Sequence, residues 1–140
     1  MNLILSVMMM FLMGTPPVNT NLTVHINDIE KPGEGVIYIM LWENEEGFPR
    51  TTANAKYTAR ISNFGASCSH TFDGIPRGEY AVSIYQDENE NNELDTNFLG
   101  IPSEPIGAYN MNRIGRPNFS NSVIKLSQLQ HTVRIKMLND

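Results

Sequence analysis

Asp87, Asn89 and Asn91 alternate along the chain, and Asp95 follows four residues later. Each carries a hard side-chain oxygen, and Glu93 can add its backbone carbonyl. Five acids (Asp87, Glu88, Glu90, Glu93 and Asp95) fall within nine residues, with no Lys or Arg among them. Calcium takes about six to eight oxygen ligands, and a turn that offers oxygens at alternate positions can wrap it. The spacing therefore predicts a Ca2+ site built from Asp87, Asn89, Asn91 and Asp95 through side chains and Glu93 through its carbonyl. Only two of the side-chain ligands are formally charged, which points to weak binding, about 10⁻⁴ to 10⁻³ M.

The loop is not an EF-hand. That motif needs Gly at position 6 and a bidentate Glu at position 12; counted from Asp87, those places hold Asn92 and Phe98. Asn tolerates the left-handed backbone that Gly usually supplies. Phe cannot ligate, and no helix pair flanks the loop. What remains, D-x-N-x-N-x-x-x-D, is similar to the helix-free calcium loops of extracellular repeat proteins, with Leu94 expected to anchor it in the core. The same residues also suit a solvated acidic turn held by Asx hydrogen bonds. Both readings stand at this point.

Other chemistry is thinly represented. His25, His70 and His131 lie in separate stretches without zinc-ligand spacing, and each is expected to point outward from a strand. Cys68 is the single cysteine, which excludes an internal disulfide. In SCSH it reads as a small half-buried thiol rather than a nucleophile, because no base stands at a fixed offset to activate it. No P-loop, dinucleotide fingerprint or G-x-S-x-G is present.

Strands must position the acidic loop. Leu22, Val24 and Ile26 alternate with polar residues, as in a half-buried strand. Val36 to Trp42 is almost continuously apolar, which predicts a central strand covered on both faces. Further strands are expected at Tyr57–Ser62, Ser67–Phe72, Val123–Leu126 and Thr132–Leu138. FDGIPRGEYAVSIYQ reads as a hairpin, with turn chemistry at Asp73-Gly74 and Pro76-Arg77-Gly78 followed by the alternating Tyr80, Val82 and Ile84. About seven such strands predict an all-β, antiparallel sandwich. Thr96–Ser122 is the exception: a long irregular loop, broken by Gly and Pro, whose Phe98, Tyr109 and Phe119 are expected to pack against the body. It begins where the acidic loop ends, so the two are expected to form one unit.

The chain has 140 residues, 41% of them hydrophobic and 18% charged, which suits one domain with a real core. A net charge of −5 with scattered basic residues disfavours nucleic acid, and no nucleic-acid partner is expected. The first twenty residues carry no charge, and the apolar run Leu3–Met13 is too short for a membrane span. It matches the apolar part of a secretory signal, without the usual basic start or a clear cleavage site. Residues 1–20 are thus expected to be a targeting segment and 21–140 the domain, exported to the periplasm or beyond the cell. No stable membrane span is expected.

Three passages carry a family resemblance: Gly47–Pro49 (GFP), Phe72–Glu104 (FDGIPRGEYAVSIYQDENENNELDTNFLGIPSE), and Tyr109-Asn110 through Arg113–Gly115 with Pro117-Asn118-Phe119. From Leu22 to about Leu138 the chain resembles the bacterial exported family known as domain of unknown function 2141. That resemblance implies a transthyretin-like (prealbumin-like) β-sandwich, the passage Ile75, Pro76, Gly78 and Tyr80 being similar to one in carboxypeptidase regulatory domains. It implies no activity. Many members carry Gly where this chain has Asn92, and the Tyr-Arg-Gly-Ser motif of transthyretin-like hydrolases is missing.

The expected function is a non-enzymatic exported module. Calcium in the 87–95 loop would order the 96–122 loop and present Tyr109, Asn110, Arg113 and Arg116 to a protein or small-molecule ligand. Two alternatives remain. One is a small hydrolase with the long loop as lid and a loop acid as general base near Arg113. The other is a structural envelope or adhesion module without metal.

Overall fold

Leu22, Val24 and Ile26 point to one side of β1 (Asn19–Asn27) and are fully covered, as their alternation requires. Each such side chain contributes about 1.5–3 kcal/mol by leaving water. The computed structural model describes residues 18–140. The expected targeting segment, residues 1–20, therefore lies outside the described residues apart from its last three, and of these Asn19 and Thr20 belong to β1.

The remaining strands are β2 (Val36–Trp42), β3 (Tyr57–Ile61), β4 (Cys68–Pro76), β5 (Gly78–Asp87), β6 (Ile106–Ala108), β7 (Val123–Leu126) and β8 (Gln130–Lys136). They form two sheets. One has the order β4-β1-β8; the other runs β3-β2-β5-β6, with β7 pairing the start of β5 on the edge that β6 takes further along. The fold is an all-β sandwich. Its eighth strand, β6, lies inside the stretch expected to be irregular throughout.

The antiparallel expectation holds with one exception among the described residues, and a second expectation needs correction. Every pairing is antiparallel except that of β1 with β8, which run parallel from Asn21↔Gln130 to Asn27↔Lys136. Alternation announces which face of a strand is buried, but not the direction of its neighbour. Second, β4 and β5 do not form a hairpin: β4 pairs β1 and β5 pairs β2. The Pro76-Arg77-Gly78 turn carries the chain from one sheet to the other. Asp73-Gly74 makes no chain reversal either; it sits in a bulge opposite Asn21, whose Oδ1 accepts the Gly74 N–H at 2.9 Å.

Between the sheets, Ile37, Ile39 and Leu41 of β2 and Tyr80, Val82 and Ile84 of β5 meet β1, Phe72, Ile75, Val133 and Ile135. The alternate residues of β2 are buried as well. Val36, Tyr38, Met40 and Trp42 form a second apolar layer with Ala81, Tyr85, Phe48, Leu94 and Ile106 on the outer face of the larger sheet. The continuous apolar run of β2 thus has two covers, a sheet on one side and loops on the other. Trp42 hides its indole by donating to Ser83 Oγ at 2.8 Å, which removes the cost of a buried unmade hydrogen bond.

β6 ties the two sheets together. Ile106 and Leu138 exchange N–H···O bonds at 3.1 and 2.8 Å, while Gly107 pairs Ile84. A Cβ on Gly107 would stand 2.5 Å from the Lys136 carbonyl oxygen and 2.9 Å from Ile135 Cγ2. Gly107→Ala should therefore cost about 1–3 kcal/mol through overpacking, read as a lower urea midpoint at constant m-value. An unchanged midpoint would show that β6 does not need this close approach.

Candidate functional site

The acidic loop starts where β5 ends. Asp87, its first residue, is fully buried, which a carboxylate tolerates only when its oxygens are satisfied. They are: Oδ1 accepts the Asn91 N–H at 3.2 Å and Oδ2 accepts the Asn92 N–H at 2.8 Å. The chain folds back over Asp87 because Asn92 adopts φ +63°, the left-handed turn expected of it. Tyr38 on the neighbouring strand then donates to Asn92 Oδ1 at 2.6 Å, and Leu94 drops into the outer apolar layer, as its position predicts.

The other expected ligands lie in the same turn. Asn89 Oδ1 accepts the Asn91 N–H at 3.3 Å, and Asn91 Oδ1 accepts the Glu93 N–H at 3.1 Å, two successive Asx turns. Their Nδ2 groups converge on one carboxylate: Asn89 donates to Asp95 Oδ2 at 2.7 Å and Asn91 to Asp95 Oδ1 at 2.8 Å. Asp87, Asn89, Asn91 and Asp95 are thus one hydrogen-bonded cluster. Among the described residues no three His, Cys, Asp or Glu side chains gather as a metal cage. Any ion here would be held by two carboxylates together with amide and carbonyl oxygens, a donor set that suits a hard cation.

Glu104 is the residue at this candidate site that sequence reasoning missed. It comes from the long loop, is only 7% exposed, and spans the mouth of the acidic turn. Its Oε1 accepts the Glu88 N–H at 3.1 Å and its Oε2 the Asp95 N–H at 3.0 Å, so one carboxylate clamps both shoulders of the loop. Burial pushes its carboxyl up to about 7; the Asp95 and Glu88 N–H groups oppose that shift, and the charges of Asp95 and Asp87 add to it. The one signal available was an acid between two prolines, Pro102-Ser103-Glu104-Pro105, directly before a short strand.

Parts of the long loop behave otherwise than expected. Tyr109 packs against the inner core and Phe119 against Phe48, ring centroids 5.4 Å apart. Phe98 does not pack; it is 96% exposed. It sits on a tight turn that Asn97 closes by accepting the Leu99 and Ile101 N–H groups at 2.9 and 3.1 Å. Tyr109, Asn110, Arg113 and Arg116, the expected contact residues, line a common depression of about 280 Å³.

The remaining candidates have structural roles. His131 Nε2 accepts the Ser127 and Gln128 N–H groups at 3.0 and 2.9 Å, closing the β7–β8 turn, and His70 stacks edge-on to Phe72. Burial pushes the Cys68 thiol up, which keeps it protonated and a poor nucleophile. The opposite wall of the acidic loop is the 31–35 turn. Gln86 Nε2 donates to the Lys31 and Glu34 carbonyls at 2.8 and 2.9 Å, and a Cβ on Gly35 would collide with the Asp87 carbonyl oxygen.

Glu104 makes stability depend on pH in a defined direction. Its folded pKa of about 7 lies above the ordinary value of 4.5, so between them the native state holds a proton that the unfolded chain has released. The stabilisation is complete below 4.5 and is lost as pH rises to about 7. In EDTA, the melting temperature of the wild-type chain relative to Glu104→Gln should fall as pH is raised across this window. A flat difference curve would sink the assignment.

Family comparison agrees with the resemblance seen in the motifs. No curated protein and no solved structure matches the chain. Residues 24–134, well over half of the sequence, match the profile of a family described as "Uncharacterized protein conserved in bacteria (DUF2141)". The match takes in the sandwich strands from within β1 into β8, the acidic loop and the Glu104 clamp. The chain belongs to the DUF2141 family.

Proposed function

We propose that this protein is an exported, non-enzymatic β-sandwich module that binds one Ca2+ in the 87–95 loop. The ion orders the 96–122 loop, which presents Tyr109, Asn110, Arg113 and Arg116 to a small-molecule or protein ligand. The observation that carries this reading is the convergence of Asp87, Asn89, Asn91 and Asp95 in one turn with a left-handed Asn92. Binding would replace the amide N–H groups on Asp95 with the ion. Half a turn of each carboxamide puts oxygen in place of nitrogen, at the expense of two Asx hydrogen bonds. That exchange, and the two formal charges, favour weak affinity.

Glu104 supplies the link to the long loop, because the residue that clamps the ion turn lies between that turn and β6. Its raised carboxyl does not call for the hydrolase alternative: burial accounts for the shift, and the group already holds the two shoulders of the loop. Export rests on the uncharged apolar start of the sequence. Among the described residues no helix is long and apolar enough to cross a membrane.

Isothermal titration with millimolar calcium should give saturable heat. At free calcium tenfold above the dissociation constant, stability should rise by about 1.4 kcal/mol, or about 5 °C in Tm. Asp95→Asn should lose both responses while melting in EDTA within a few degrees of the wild-type chain. No heat and no calcium-dependent rise in Tm would overturn the calcium reading and leave the acidic turn as a metal-free Asx loop.

A further inference from the structure

A cleft of about 580 Å³ opens beside the acidic loop, between the 45–53 segment and Asn92–Leu94, with Arg116 also lining it. Its volume falls within the range of about 300–1,000 Å³ typical of small-molecule sites. Four charged side chains line it: Glu45, Arg50, Glu93 and Arg116, two of each sign. Ion pairs among the described residues are Lys31–Glu88, Arg60–Glu90 and Lys136–Asp28, so none of these four is neutralised in one. Phe48 and Leu94 supply an apolar floor between the charges.

The cleft is built on stiff parts. Phe48 stands edge-on to Trp42 and to Phe119, each pair of centroids 5.4 Å apart. Leu94 is buried, and the residue at position 92 is pinned by Tyr38 and by Asp87. The apolar floor is thus set before a ligand enters, and the ordering that binding requires falls on the exposed Glu45, Arg50, Glu93 and Arg116 side chains. A purely anionic ligand would be repelled by the two carboxylates, and a purely cationic one by the two guanidiniums. A ligand with both charges satisfies all four.

We propose that this cleft binds a small zwitterion, an amino acid or a short peptide with free termini. Arg50 and Arg116 take the carboxylate, for which guanidinium geometry is suited. Glu45 and Glu93 face the ammonium, and a short apolar side chain lies on Phe48 and Leu94. This goes beyond the calcium reading and rests on it only through Arg116, which belongs to the 96–122 loop; Glu93 enters the ion site through its carbonyl and this cleft through its carboxylate.

The test is an NMR titration of the full chain with alanyl-leucine, its C-terminal amide and its N-acetyl derivative, run once in calcium and once in EDTA. Alanyl-leucine should produce saturable shifts at the Gly47, Arg50 and Leu94 amides in at least one condition, and each blocked form should bind about tenfold more weakly. Arg116→Gln and Arg50→Gln should erase the preference for a free carboxylate, and Glu45→Gln the preference for a free amine. These side chains are exposed, so unchanged spectra away from the cleft will confirm folding. No saturable shift up to about 20 mM dipeptide, or equal affinity for all three forms, would overturn the proposal. Because calcium binding is read separately by calorimetry, its failure leaves this result standing.

Discussion

All seven side chains of β2 are buried, and so are eight consecutive residues of β5, Tyr80 to Asp87. A sheet whose central strands are apolar on both faces cannot leave either face in water. The smaller sheet covers one side. On the other, the described residues supply no second sheet, and the cover comes from connecting segments, Phe48 from the turn after β2, Leu94 from the acidic loop and Phe119 from the long excursion, beside Ile106 of β6. Burying these residues pulls three loops onto one surface. The acidic turn, the Arg-lined depression and the charged cleft are gathered there because the outer face of β2 and β5 must be dry.

Most polar groups carried into this region are paired; among the described residues Gln86 Oε1 is the buried side-chain atom left without a partner. Asp87 satisfies the N–H groups of a loop that folds over it, and Glu104 satisfies the N–H groups at the loop's two shoulders. A helix would have met those donors internally; here two carboxylates from distant positions do so. Loss of either would release part-buried N–H groups, each at less than the about 1–3 kcal/mol that a fully buried donor costs. The surface ion pairs Lys31–Glu88 and Arg60–Glu90 add little by comparison, since both are exposed to solvent.

Legibility followed the range of the interaction. The period-2 pattern of Leu22, Val24 and Ile26 and the unbroken run of β2 were readable because burial of a strand face is a local periodicity. The Asx spacing and the left-handed Asn92 were readable because a turn is decided within a few residues. Glu104 was not, since its role is set by backbone groups 9 and 16 residues away. Pro76-Arg77-Gly78 was read correctly as a turn but wrongly as a hairpin, because turn residues do not state which strand comes next beside them. The aromatic character of Phe98 predicts packing, but the hydrogen bonds of Asn97 hold its turn outward.

The parallel pairing of β1 with β8 has a kinetic meaning. β1 is the middle strand of the smaller sheet, and one of its neighbours is the last strand in the sequence. A chain emerging from its N-terminal end therefore presents β1 with one edge unpaired until β8 (Gln130–Lys136) is available. Contacts of such long sequence separation form late and slowly, and an open strand edge is an invitation to mispairing while it waits. The order in which the chain appears thus runs against the order in which its smaller sheet can close, and the sandwich is complete only once β8 has joined β1.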